Sequence, residues 1–282
     1  MKTILVPTDF SEQAQFALDF ATQIAKKNDT KIFLFHVLEI PVGTFAEPLT
    51  VNVGGSFDAD FVKEMTDNAK KEINKLAEQF AGEGVDIETY VDLGSPYEGI
   101  SHLVSEKQAD LIVMGSKGAS GLSEIFIGSN AEKVVRRSEC PVIVVKQKTD
   151  TTKIKNIVFG TGIKDVSEGL MMKLKQLQAA FGATLHLVRI NTPNNFKRDE
   201  DIKRSLKALA SRHMLKHYTI NIYNDMYEDQ GLIYFAEEVD ADMIALGTHG
   251  RTGIAHLISG SLAEDVVNHA IRPIWTYDLD GK

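Results

Sequence analysis

Apolar positions along this chain switch between two periods, and the switch recurs. Residues 4–7, ILVP, form a short apolar run rich in β-branched residues. After Ser11, a favourable N-cap, apolar residues fall at 14, 17, 18, 21, 24 and 25, the spacing of one helix face. KIFLFHVLE is continuously apolar, as in a strand covered on both sides. A long amphipathic helix, ADFVKEMTDNAKKEINKLAEQFA, then leads to an alternating strand, VDIETYVDLG. Ser95 and Pro96 open a further helix, PYEGISHLVSEKQ. DLIVMG reads as a buried strand, SNAEKVVRRSE as a helix and PVIVVK as a last strand. Strands that alternate with helices and carry unbroken apolar runs predict a doubly wound α/β domain with a five-stranded parallel sheet.

The pattern occurs twice. ADLIVMGSKGASGLSEIFIGSNAEKVVRRSECPVIVV (109–145) aligns without gaps over ADMIALGTHGRTGIAHLISGSLAEDVVNHAIRPIWTY (241–277). The glycines, the serine after the last of them, the Ala-Glu, the Val-Val pair and the proline all coincide. A constant offset of about 130 residues is too long for a solenoid repeat and suits one whole domain copied once. KTILVPTDFS and KIKNIVFGTGIK begin the copies alike, and the polar stretch QKTDTT joins them. The predicted domains are therefore 1–148 and 152–282.

Composition narrows the function. The net charge is −8, so a nucleic-acid backbone is repelled overall, and the basic clusters are short. The single cysteine, Cys140, allows no internal disulfide and fits a reducing compartment. It precedes Pro141 at the start of a buried strand and reads as an inert packing residue. Neither a signal-peptide core nor a run of about 18 apolar residues is visible. The expectation is a cytoplasmic protein with neither nucleic-acid nor membrane partners.

The glycine-rich stretches hold the candidate chemistry. In open α/β sheets, ligands sit beyond the carboxyl ends of the strands, at the switch point of the topology. Gly115, Gly118 and Gly128 lie there, and Ser129 and Asn130 begin a helix whose free N–H groups suit a phosphate. Lys117 adds charge. The spacing is neither a P-loop nor the dinucleotide fingerprint. It is G-x2-G-x9-G-S, repeated as Gly247, Gly250, Gly260 and Ser261.

With ILVPTDFSE at the start and this motif in both halves, the chain resembles the ATP-binding branch of the universal stress protein family. The resemblance spans essentially the whole chain as two tandem domains. It implies strand order 3-2-1-4-5 and ATP, with or without Mg²⁺, between the ends of strands one and four. It also implies that Pro7, Thr8 and Asp9 meet the adenosine and that Val37 meets adenine through its backbone. Met114, Gly115, Gly118, Gly128, Ser129 and Asn130 would hold ribose and phosphates. No metal-ligating set and no catalytic residue are expected, so slow ATP hydrolysis would be incidental to a sensor or regulator. The family also pairs domains through the final strand, which favours PVIVV and PIWTY as an internal interface and leaves a homodimer open.

The second half departs from the motif. Gly160 and Gly162 stand where Pro7 and Asp9 stand, and Leu262 replaces Asn130. A weaker second site is expected at Thr161, Gly247, Gly250, Gly260 and Ser261, with His249 and Arg251 adding charge. An alternative is a nucleotide-independent module that binds a protein or small ligand. An adenylating or pyrophosphatase relative would need SGGxDS-type or HIGH-type loops, which are absent. His213 and His217, four apart, read as a solvated helix end, and His36 as a satisfied histidine near the core. Residues 40–57 are long for a connection and are a candidate cover.

Overall fold

The Ser11 hydroxyl accepts from the Ala14 amide at 3.2 Å and so starts the first helix, which ends where Asp29 turns left-handed at φ 51°. The six apolar positions read from the sequence are all buried there. In the computed structural model, residues 1–39, 59–81, 84–116, 127–162, 166–248 and 262–278 are described. The first half runs β1 (Thr3–Pro7), α1 (Glu12–Asn28), β2 (Lys31–Leu38), α2 (Ala59–Ala81), β3 (Ile87–Leu93), α3 (Pro96–Lys107), β4 (Leu111–Gly115), α4 (Ser129–Arg137) and β5 (Val142–Val145). The second repeats it: β6 (Asn156–Gly160), α5 (Glu168–Phe181), β7 (Thr184–Asn191), α6 (Asp199–Arg212), β8 (Tyr218–Asn224), α7 (Glu228–Glu238), β9 (Met243–Thr248), α8 (Leu262–His269) and β10 (Ile274–Asp278). The candidate cover at 40–57 lies outside the described residues.

The strands form one sheet in the order β3-β2-β1-β4-β5-β10-β9-β6-β7-β8. Each half is parallel and has the order 3-2-1-4-5. The halves meet at an antiparallel pair, with Trp275 opposite Ile143 and Thr276 opposite Val142. Both faces are covered, which explains why the inner strands carry continuous apolar runs. Helices α1, α2, α5 and α6 supply one core layer, and α3, α4, α7 and α8 the other. Each layer is continuous across the join. Phe20 of α1 and Phe181 of α5 have ring centroids 6.3 Å apart, and Trp275 is 1% exposed beneath them. Each such burial contributes about 1.5–3 kcal/mol.

The polar joint is fastened rather than loose. The Gln23 side chain donates to the Thr149 carbonyl at 3.1 Å and accepts from the Thr151 amide at 2.8 Å. Asp150 caps the short 3₁₀ turn that follows. The duplicated Ala-Asp also has a structural cause. Asp110 accepts from the Lys2 and Thr3 amides at 2.6 and 3.3 Å. Asp242 does the same for Lys155 and Asn156 at 2.8 and 2.9 Å.

One sequence expectation fails here. His213 is not on a solvated helix end. The helix stops at Arg212, Met214 turns left-handed, and His213 is 7% exposed with Nδ1 3.3 Å from Glu168. His217 lies beyond the turn and is exposed, so the two rings share no helix face.

Candidate functional site

The turn after β1 is fixed by its own hydrogen bonds. The Thr8 amide donates to the Phe35 carbonyl at 2.8 Å, and the Thr8 hydroxyl accepts from the Phe10 amide at 3.1 Å. The Asp9 carboxylate accepts from the Ser11 amide at 3.1 Å. Phe10 sits at φ 65°, uncommon for a bulky residue, and its ring lies 4.5 Å from that of His36. The Nδ1 of His36 is 2.8 Å from the Thr8 carbonyl, so this histidine has a partner. These contacts present Asp9 at the carboxyl end of the sheet.

Across the switch point, the Gly128 amide donates to the Ser116 carbonyl at 2.8 Å and closes the ends of the glycine loop on each other. Gly128 caps α4 without a side chain, so its first-turn N–H groups are left for another acceptor. The Asn130 amide reaches the Glu39 carboxylate at 3.4 Å and joins the two walls.

Between these elements lies a cavity of about 310 Å³. Pro7, Thr8, Asp9, Val37, Met114, Gly115, Gly128, Ser129 and Asn130 all line it. Gly118 and Lys117 lie outside the described residues. Gly115 has a second cause besides the cavity. A Cβ there would stand 2.8 Å from the backbone carbon of Gln13, so close packing of β4 on α1 already requires glycine. Glu39, Ser116, Pro96 and Ile100 also line the cavity and were not singled out from sequence. Their signal is weak, since nothing in the chain pattern says which side of a turn faces inward.

The second half has its own cavity at the equivalent place, about 470 Å³. Thr161 and Gly247 line it, as do Gly160, Gly162 and Leu262, which the ungapped comparison sets against Pro7, Asp9 and Asn130. The matched N-caps Ser11 and Ser167 instead set Asp165 against Asp9, a correction to the sequence reading, and Asp165 lies outside the described residues. Gly250, Gly260 and Ser261, with His249 and Arg251, lie outside the described residues. Arg189, Lys197, Glu228 and Thr248 line it too, and sequence reading passed over them. Arg189 had a usable signal, a cation inside the apolar run TLHLVRIN.

Cys140 is buried, and burial pushes its thiol up to about 12. Among the described residues, no group of three or more His, Cys, Asp or Glu could hold a metal ion. No helix among them is long and apolar enough to cross a membrane.

The chain is thus a tandem α/β protein, a doubly wound sheet with a cavity at each switch point. The model of the universal stress protein family matches residues 1–146 and again 153–277. The chain belongs to that family, as two tandem domains. A universal stress protein of Methanocaldococcus jannaschii is 37% identical over 150 residues, 52% of this chain and 82% of its own. A second from the same organism is 31% identical over 156 residues, 52% of this chain and 96% of its own. The crystal structure of a universal stress protein from Archaeoglobus fulgidus superposes on the whole fold. Its TM-score is 0.78 at 20% identity, covering 98% of both chains.

Proposed function

We infer that the N-terminal domain binds an adenine nucleotide, ATP in the first instance, and that the protein acts as a sensor or regulator rather than an enzyme. One observation carries this reading. Nine residues chosen from separate stretches of sequence line one cavity, of a volume that suits a small ligand. A carboxylate at the end of β1 suits sugar hydroxyls or the adenine amine. Uncapped N–H groups at α4 suit phosphate. The two carboxylates among the described lining residues, Asp9 and Glu39, are too few for a protein-built magnesium site, so Mg²⁺ would enter with the phosphates. Hydrolysis would need a positioned water and a general base. Asp9, already bonded to the Ser11 amide, is better placed to orient the nucleoside.

The domains, 1–148 and 152–282, would then act as a fused pair, with the antiparallel β5–β10 join fixing the two sites relative to each other. The interaction-module reading has one feature in its favour. Phe196, Met226 and Tyr227, on the turns after β7 and β8, are 69%, 64% and 60% exposed.

The test is the nucleotide content of freshly purified protein, released by denaturation and resolved by ion exchange. About one adenine nucleotide per chain is expected. Asp9→Ala should lower ATP affinity at least about tenfold in calorimetry, the scale of a lost hydrogen bond to a charged group. No nucleotide and no ATP binding would leave the interaction module in front.

A further inference from the structure

Arg189 stands in β7 where His36 stands in β2, and it is 4% exposed. His36 has the Thr8 carbonyl, whereas the Nε of Arg189 has no hydrogen-bond partner. No carboxylate among the described residues forms an ion pair with it. Arginine does not shed its proton in a protein, so it cannot escape burial by becoming neutral. A buried cation without a counter-charge destabilises the fold. No described residue supplies the anion, and Arg189 is open to one from solution, since it lines the 470 Å³ cavity.

A second buried group points the same way. The Thr248 hydroxyl is also without a partner, in a residue 4% exposed, and lines the same cavity. β6 separates β7 from β9, so Arg189 and Thr248 stand two strand spacings apart, roughly 10 Å. The lining also includes apolar side chains, Phe159, Leu170, Ile190 and Leu246 among them. Lys197 adds a second cation. Asn191 pins it by accepting from the Lys197 amide at 2.9 Å and donating to its carbonyl at 3.2 Å. One lining carboxylate, Glu228, opposes the two cations, and it accepts from the Asn195 amide at 3.3 Å.

We propose that the cavity of the C-terminal domain binds a small amphipathic organic acid. Its anionic head, a carboxylate or a phosphate ester, sits on Arg189. Its body covers the apolar wall and its far end reaches Thr248. The planar guanidinium matches either head group with paired N–H donors. An adenine nucleotide lying as inferred for the first cavity would put a neutral base at the end of β7 and leave Arg189 uncompensated. The site stands whether or not the first cavity holds nucleotide.

Calorimetry on the full chain tests this with hexanoate, hexyl phosphate and the neutral control hexanol. At least one acid should bind at least about tenfold more tightly than hexanol, and the tighter acid identifies the head group. Arg189→Gln should weaken that acid about tenfold or more, and Thr248→Val about threefold. Asp9→Ala should leave it unchanged. Arg189→Met should raise the melting temperature of the ligand-free chain, because it removes an uncompensated charge. Binding of neither acid, equal binding of hexanol, or unchanged affinity in both Arg189→Gln and Thr248→Val would overturn the assignment. So would a lower melting temperature in Arg189→Met.

Discussion

The two switch-point cavities occupy the same place on two copies of one domain, yet their described walls differ in charge. Among the described residues, the charged ones lining the first are Asp9 and Glu39, and those lining the second are Arg189, Lys197 and Glu228. The strand order and the paired N–H bonds to Asp110 and Asp242 have been kept. Some of what changed lies at strand ends that line the cavities, where Gly160 stands for Pro7. The connection after the second strand changed too, from residues 39–58 in the first half to 192–198 in the second. A duplicated frame therefore says little about a duplicated ligand. Packing constrains the frame, while the cavity walls answer to whatever enters.

The largest stability effect that sharpens this comparison separates frame glycines from cavity glycines. Gly115→Ala puts a Cβ 2.8 Å from the Gln13 backbone, which cannot turn aside as a side chain can. We expect a loss of about 1–3 kcal/mol in urea unfolding, typical of overpacking. At Gly160, which stands where Pro7 stands, the three atoms nearest the Cβ would be the Leu232 methyls at 2.9 and 3.0 Å and a Leu246 methyl at 3.2 Å. Those tips can rotate into the cavity, so Gly160→Ala should cost under about 1 kcal/mol. Equal losses would mean that both glycines belong to the frame.

A smaller effect tests whether the frame is equivalent in both copies. Asp110→Ala and Asp242→Ala each strip a carboxylate from two backbone N–H groups at the start of a strand. Each should cost about 1–2 kcal/mol, and the two values should agree within a factor of two. A clear inequality would show that the halves have drifted in structure as well as in their cavities.

Much of the frame was legible because it is periodic. Helical spacing identified every buried position it named in α1, and the repeated glycine motif located both switch points. The cavity walls were less legible, because facing depends on register. Arg189 is visible as a charge in an apolar run, but only pairing with β6 and β8 places it at the cavity rather than at an edge. Gly115 was read as room for a ligand, and its packing against α1 needed the third dimension. His213 misled because two histidines four apart suggest one helix, and nothing in the local sequence ends that helix at Arg212.

The finest test concerns the sign of charge within the first cavity itself. Glu39 is exposed and touches Asn130 at the start of α4, where the inferred phosphates would lie. A carboxylate there should oppose a nucleotide, in contrast to Asp9, inferred above to be its partner. Glu39→Gln keeps the shape and an acceptor for Asn130 while removing the charge. It should therefore tighten ATP binding by about two- to fivefold, the scale of an exposed charge interaction. The gain should shrink as salt rises, since exposed charges are screened within about 10 Å at 0.1 M. Weaker binding in Glu39→Gln would place Glu39 beside Asp9 as a partner of the nucleoside, and the phosphates elsewhere.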